Sequence, residues 1–203
     1  MFEVCSGIED WQLPISSHEE NIIKKFMNKN NGIFIDIGAH AGLWTLKLAN
    51  FYKKVICFEP NPYAFKVLCK NIKLNNLKNV KAENIALSDK KGKIKLYLYK
   101  FLSHSSIFEI HPITNEKSRG FIEVYAIPLD EYEINEKIGL IKIDTEGSEI
   151  NIIKGAIRKI KENKPKLVIE LHNKNDEKII REILNFYDFS EDFYSISKYL
   201  IYI

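Results

Sequence analysis

Four carboxylates and one imidazole fall in two short blocks of this chain: Asp144, Glu146 and Glu149 in "LIKIDTEGSEI", and Glu170 and His172 at the end of "VIELH". Each block begins as an apolar run. Both therefore read as buried strands that deliver polar residues at the carboxyl edge of a sheet, where open α/β folds bind ligands. Glu170 and His172 are alternate residues and share a face. A carboxylate crowded by others is expected to have a raised pKa, and an imidazole titrates near neutrality. Asp144, Glu170 and His172 are thus the candidates for taking up a proton. With Glu146 they also suit Mg²⁺ or Mn²⁺, the less favoured alternative. Glu146 and Glu149 equally complement the dipole of a following helix, and Gly147 equally serves the turn alone.

A further acid stands in "GIFIDIGAHAGLWTL", where the run Ile33–Ile35 stops at Asp36 and Gly38 and Gly42 follow before a helical pattern begins. Glycines at a strand-to-helix turn let a ligand approach the backbone and the free N–H groups of the helix start. The spacing differs from G-x-G-x-x-G, and Thr45 stands where a third glycine is expected. A carboxylate at the strand end repels a pyrophosphate but attracts an ammonium or sulfonium. S-adenosylmethionine carries both cations and no phosphate. The second strand ends at Glu59, roughly twenty residues after Asp36, where doubly wound folds place an acid against ribose hydroxyls. The expected cofactor contacts are Asp36, Gly38, Ala39, His40, Gly42, Glu59, Pro60, Asn84, Ile85 and Asp144. Adenine is expected against Phe58, Pro60 and "ENIAL", with Asn84 or the Ile85 backbone at its edge. Asn84 also reads as a turn residue satisfying its own backbone, and His40 as a residue that shapes the turn.

Elements to position these groups follow from the alternation of short apolar runs with amphipathic stretches, the pattern of βαβ units. Strands are expected at Ile33–Ile37, "VICFE", "NVKAENIALS", "KIKLYLY", "FIEVYAIPL", "GLIKID" and "KLVIEL", with "FYSIS" and "YLIYI" as a terminal antiparallel pair. A first helix is expected over about residues 41–52. A second opens at Pro60 and Pro62 and closes at Asn75-Asn76. A third carries Ile150, Ile153, Ile157 and Ile160 on one stripe, and "DEKIIREILNFY" forms a fourth. Lys90-Lys91-Gly92 makes a turn. Residues 100–120 show no period and read as an irregular loop, with His104 and His111 at a solvated surface. Residues 1–30 are expected to form a short helical cover with Ile22, Ile23 and Phe26 inward, and 31–203 the catalytic domain.

Composition narrows the function classes. The chain has 203 residues, 45% hydrophobic, with 30 basic against 27 acidic side chains and a formal charge of +3. That suffices for one sizeable core and does not call for a polyanionic partner. Arg119, Arg158 and Arg181 are the only arginines, which disfavours sequence-specific nucleic-acid readout. Cys5, Cys57 and Cys69 show no CxxC spacing and read as small buried hydrophobes. With no signal-like start and no run near the roughly 18 apolar residues of a membrane span, a soluble cytoplasmic protein is expected.

Seven segments, "FIDIGAHAGLWTL", "VICFEPNP", "NIALSDKKGKIKLY", the "SS" at 105–106, "IPLDEY", "LIKIDTEGSEINIIKGA" and "PKLVIELH", carry a resemblance that runs from Gly32 to His172. They resemble the FkbM-type family of class I S-adenosylmethionine-dependent methyltransferases. K-I-D-x-E-G-x-E followed by K-G-A is the most specific block. The resemblance implies a Rossmann-like, doubly wound, mostly parallel seven-stranded sheet with an antiparallel C-terminal strand. It also implies methyl transfer to a hydroxyl of a sugar, glycan or small metabolite, for which Asp144 or His172 would act as base. "FEPNPYAFKVLCKNIKLNN" also looks like tRNA methyltransferases, which keeps an RNA acceptor as an alternative, although no Asn-Pro-Pro-aromatic block is present. A non-catalytic binding module is a second alternative, and the glycine spacing disfavours a nicotinamide oxidoreductase.

Overall fold

The structure is a computed structural model describing residues 16–99, 105–112, 114–173, 175–187, 189–193 and 198–202. Its elements are α1 (Ser17–Lys24), β1 (Asn30–Ile37), α2 (Leu43–Leu48), β2 (Tyr52–Phe58), α3 (Pro62–Leu74), β3 (Val80–Glu83), β4 (Ala86–Leu87) and β5 (Gly92–Leu98). They continue with β6 (Gly120–Ile127), β7 (Ile138–Ile143), α4 (Glu149–Asn163), β8 (Lys166–Leu171), α5 (Asp176–Ile183), β9 (Phe189–Phe193) and β10 (Lys198–Tyr202).

Seven strands form the main sheet in the order β3-β2-β1-β7-β8-β10-β9. β1, β2, β3, β7 and β8 pair in parallel, and β10 runs antiparallel to both β8 and β9. The central runs are continuously apolar because both faces are covered. Ile33, Ile35 and Ile37 enter one cluster with Ile141, Ile153 and Ile169, whereas Phe34 enters the opposite one with Trp44, Leu140 and Val168. Ile22, Ile23 and Phe26 are buried in that second cluster, so α1 covers this face. The Ser16 hydroxyl starts α1 by accepting from the Glu19 N–H at 3.1 Å. Among the described residues no helix is long and apolar enough to cross a membrane.

Chain order reverses between β1 and β7, which leaves a crevice outside their carboxyl ends. Asp36 and Lys142 are direct partners across this pair. The acidic strand ends are therefore brought together at the switch point of the sheet.

Some elements differ from the sequence expectation. "NVKAENIALS" is two strands in different sheets: β3 edges the main sheet, while β4 joins a separate three-stranded sheet, β4-β6-β5. Asn84 separates them because its side-chain amide donates to the carbonyls of Glu59 and Pro60, which bends the chain off the β2 edge. The first helix is one short turn-rich piece, α2, followed by a 3-10 turn, with Tyr52 already in β2. The penultimate strand is β9, ahead of "FYSIS", of which residues 194–197 lie outside the described residues. On α4 the buried stripe is Glu149, Ile152, Ile153, Ala156 and Ile160, with Ile150 and Ile157 at its flanks.

The K-G-A block has a packing cause. A Cβ on Gly155 would lie 2.0 Å from the Ser88 carbonyl oxygen, so α4 approaches the segment after β4 at backbone distance. Gly155→Ala gains about 1 kcal/mol of helix propensity but overpacks against backbone, which costs about 1–3 kcal/mol or more. The variant is expected to lose stability in urea unfolding; one as stable as the parent would show that this contact imposes nothing.

Candidate active site

The turn after β1 spends its donors inside the protein. The N–H groups of Gly38 and Ala39 both donate to the Phe58 carbonyl, at 3.0 and 3.1 Å, and that of Gly42 to Ala39 at 2.8 Å. The His40 N–H donates to Glu59 Oε2 at 2.8 Å. No phosphate cradle remains at these positions. Gly38 has φ +74°, and a Cβ there would lie 1.8 Å from the Asp144 carbonyl oxygen. Its role is to let the turn lie against the end of β7. A Cβ on Gly42 would meet Leu68 at 2.7 Å.

Asp36 is fully buried and does not line the cleft, contrary to its expected role as a direct ligand of a cation. Its Oδ2 accepts from the Thr45 hydroxyl at 2.7 Å, and its Oδ1 lies 3.7 Å from Lys142 Nζ. The physical reason is that Lys142 already supplies the cation. Lys142 Nζ also lies 3.1 Å from Asp144 Oδ2 and donates to the Gly38 carbonyl at 3.1 Å. Burial opposes the charge on Lys142, but Asp144 and Asp36 together hold its pKa above the usual lysine range. Burial pushes Asp36 up despite Lys142 and Thr45.

A cleft of about 270 Å³ opens at this edge. Phe58, Glu59, Pro60 and Ile85 line one part, with Ala86, Leu87 and Leu96 of the small sheet opposite; Asp144, Thr145 and Glu146 line another. Gly38 and His40 also line it. Glu59 is held rigidly: Oε2 takes the His40 N–H, and Oε1 accepts from the Asn61 N–H at 2.8 Å. Each oxygen keeps a lone pair for another donor. Burial raises its pKa to about 7 against the opposing pull of those two hydrogen bonds. Asn84 does not line the cleft; its amide instead fixes the Glu59-Pro60 backbone.

Behind Asp144 and Glu146 stands His172, buried. Its Nε2 lies 3.5 Å from Asp144 Oδ1 and 3.3 Å from Glu146 Oε2, and its Nδ1 3.0 Å from Glu149 Oε1. Burial alone would lower the imidazole, but the Glu149 hydrogen bond with the Glu146 and Asp144 charges outweighs it and raises the pKa to about 10. Near neutrality His172 is an imidazolium, so in this arrangement it has no lone pair for a hydroxyl proton. Asp144 likewise departs from expectation. Burial would raise its carboxyl, but Lys142 and His172 hold it below the ordinary range. Opposite charges, not neighbouring carboxylates, dominate its surroundings.

Two groups that the sequence did not mark as site residues, Glu149 and His111, organise this end. Glu149 Oε1 also accepts from the N–H groups of Thr145 and Gly147 and from the Thr145 hydroxyl, which closes the turn at φ +53° for Glu146 and +108° for Gly147. His111, expected at the surface, is buried; its Nε2 lies 3.1 Å from Glu146 Oε2, and its ring packs edge-on to Tyr99. Nothing local marks it, because its partner lies beyond β6 and β7. The paired serines bind the loop to both sides of the cleft: Asn61 donates to Ser105 at 2.9 Å, and Ser106 donates to the Glu146 carbonyl at 2.6 Å. His104 lies outside the described residues.

Glu170 is held by the Tyr199 hydroxyl at 2.6 Å. One ligand atom from each of Asp144, Glu170 and His172 falls within 4.8 Å of the others, a carboxylate-imidazole set of the kind divalent cations use. Lys142 and Tyr199 already engage two of its members.

Comparison with known proteins gives the chain's family and fold. Residues 36–192 match the methyltransferase FkbM domain. A tRNA(Phe) (4-demethylwyosine(37)-C(7)) aminocarboxypropyltransferase of Methanocaldococcus jannaschii is 30% identical over 155 residues, which are 72% of this chain and 61% of that protein. The chain spans about three fifths of the length of the curated relatives it matches. A methyltransferase FkbM structure from Methylobacillus flagellatus superposes with TM-score 0.65 at 19% identity, covering 85% of this chain and 44% of that one. SMU.1697c, a methyltransferase-like structure from Streptococcus mutans in complex with SAH, superposes with TM-score 0.54 at 16% identity, covering 93% of this chain and 98% of that one.

The buried imidazolium has a direct test. In ¹H–¹⁵N spectra the His172 ring is expected to keep both protons from pH 6 to 8 and to titrate near pH 10. A midpoint near 7 would remove the ion-pair account. By linkage, its contribution to stability is fully present below the unfolded value of about 6.5 and is lost as pH rises through about 10.

Proposed function

Because the chain belongs to the FkbM methyltransferase family, we propose that it is an S-adenosylmethionine-dependent methyltransferase acting on a hydroxyl of a sugar, glycan or small metabolite. Residues 31–203 would form the catalytic domain and 1–30 its cover. The observation that carries this reading is one cleft with a rigid carboxylate among apolar walls at Glu59 and two further carboxylates, Asp144 and Glu146, lining it as well. The SAH-bound neighbour supports the cofactor class.

The residues fit an adenosine-containing cation better than a dinucleotide. The glycine-turn N–H groups are engaged, and Lys142 is neutralised from both sides, so neither offers itself to a pyrophosphate. Phe58, Pro60 and Ile85 would hold the adenine among apolar groups, and the remaining lone pairs of Glu59 would accept from ribose hydroxyls. The bound sulfonium would supply the methyl group and a positive charge that disappears on transfer. Asp144, which lines the cleft where Glu170 and His172 do not, takes the acceptor's proton. Its resting pKa is low, but loss of a neighbouring cation raises its proton affinity at the moment it is needed. His172 positions Asp144 and Glu146 from behind, and Glu170 contributes through Tyr199.

A second reading is favoured by the archaeal relative, whose named reaction moves an aminocarboxypropyl group onto tRNA. S-adenosylmethionine carries such a group on the same sulfonium. The spent cofactor separates the two readings: S-adenosylhomocysteine means methyl transfer, whereas methylthioadenosine means aminocarboxypropyl transfer.

Calorimetric titration is expected to show binding of S-adenosylmethionine and S-adenosylhomocysteine and none of NAD⁺. Affinity should rise as pH increases through about 7, where Glu59 ionises, and Glu59→Gln should flatten that dependence. Binding of NAD⁺ alone would overturn the site assignment. Asp144→Asn is expected to lower kcat by about 10²- to 10⁴-fold with S-adenosylhomocysteine affinity little changed. A parent-like kcat would exclude Asp144 as base.

A further inference from the structure

The turn that follows β4 forms one side of a second groove. Its volume is about 550 Å³, and Lys90, Lys91, Lys93 and Lys95 line it against a single acid of the lining, Asp89. Leu87, Ile94 and Ser148 line both this groove and the cleft, so the two spaces adjoin. Lys93 lies 3.3 Å from the exposed Glu123, a pair weakened by solvent, and Lys95 stands 4.3 Å over the Phe121 ring. Lys90 and Lys91 have no acidic partner among the described residues. The backbone beneath them is anchored, since the Ser88 carbonyl occupies the space left by Gly155 and the Ser88 N–H donates to Ile127 at 3.0 Å.

We propose that this groove holds the phosphate of a phosphate-bearing small acceptor, whose hydroxyl then reaches the adjoining cleft. The proposal rests on the methyltransferase reading and adds the substrate class. Lysine ammonium groups serve phosphate as point charges, and preorganised backbone lowers the cost of gathering them. Ser88, Ser148 and Asn151 bring neutral polar groups to the same lining. The groove is bounded and contains no arginine, which fits one or two phosphates rather than a tracked nucleic-acid strand.

The test is calorimetric titration of the full chain with inorganic diphosphate, in the parent, in Lys90→Ala/Lys91→Ala and in Lys90→Glu/Lys91→Glu. Diphosphate affinity is expected to fall about tenfold or more in the first variant and further in the second. S-adenosylhomocysteine affinity, measured in parallel, should stay at the parent value, which shows both variants folded. Absence of diphosphate binding, or affinity indifferent to both variants, overturns the proposal. Diphosphate binding through these lysines without S-adenosylhomocysteine binding supports the groove while the cofactor reading fails. A ten-nucleotide single-stranded RNA that binds through the same lysines, with a salt slope of several phosphates, overturns the small-acceptor assignment in favour of nucleic acid.

Discussion

The Lys142 ammonium, buried between carboxylates on two neighbouring strands, fixes the centre of the site. Asp36 and Lys142 face each other across the β1-β7 pair, and Asp144 lies two residues further along β7's own path. Removing the lysine would leave the fully buried Asp36 without a counter-ion, and breaking a buried ion pair costs about 3–5 kcal/mol. The cation is shared unequally. Asp144, at 3.1 Å, is held below its ordinary pKa, whereas Asp36, at 3.7 Å and fully buried, is pushed above it by desolvation. Asp36 thus acts on the cleft through Lys142, and through the Gly38 carbonyl that Lys142 also holds.

A second cation repeats the device one layer further out. His172 sets its imidazolium against Asp144, Glu146 and Glu149, so three acids of one turn tolerate each other's company. Glu149 has a further task. By taking backbone N–H groups of Thr145 and Gly147 it stabilises positive φ at Glu146, a conformation that a side chain bearing a Cβ disfavours. Gly147 completes the turn where a Cβ would stand 2.8 Å from Phe108, which is how the loop bearing His111 closes against it.

What the sequence disclosed depended on whether the cause was local. The strands and long helices were legible because their apolar periodicity is a property of consecutive residues, and the turn at Gly38 and Gly42 because its spacing reflects one βαβ unit. Asp36 was read as attracting a cationic cofactor because its counter-ion Lys142 arrives from another strand, and Asp144 was read as crowded by acids because the His172 that joins Lys142 beside it comes from β8's end. His111 looked solvated because its partner is distant in sequence. The split of "NVKAENIALS" was hidden because no glycine or proline separates Val80–Glu83 from Ile85–Leu87, and only Asn84's bonds to the Glu59-Pro60 backbone show where one sheet ends and the other begins.

The misreadings of Asp36 and Asp144 share a cause: each faces a cation that its own segment does not announce. Once such pairs are removed, the charges left at the surface of the site sort by place. A carboxylate without a cationic partner remains in the cleft, at Glu59, and ammonium groups remain in the adjoining groove, at Lys90 and Lys91. A cationic donor and an anionic acceptor would therefore be attracted to adjacent compartments rather than compete for one. Of the residues that line both compartments, Leu87 and Ile94 are apolar and come from the small sheet, Ile107 comes from the loop and Ser148 from the start of α4. The segment after β4 lies at backbone distance from α4 at Gly155, so the small sheet's share of that boundary is fixed relative to α4.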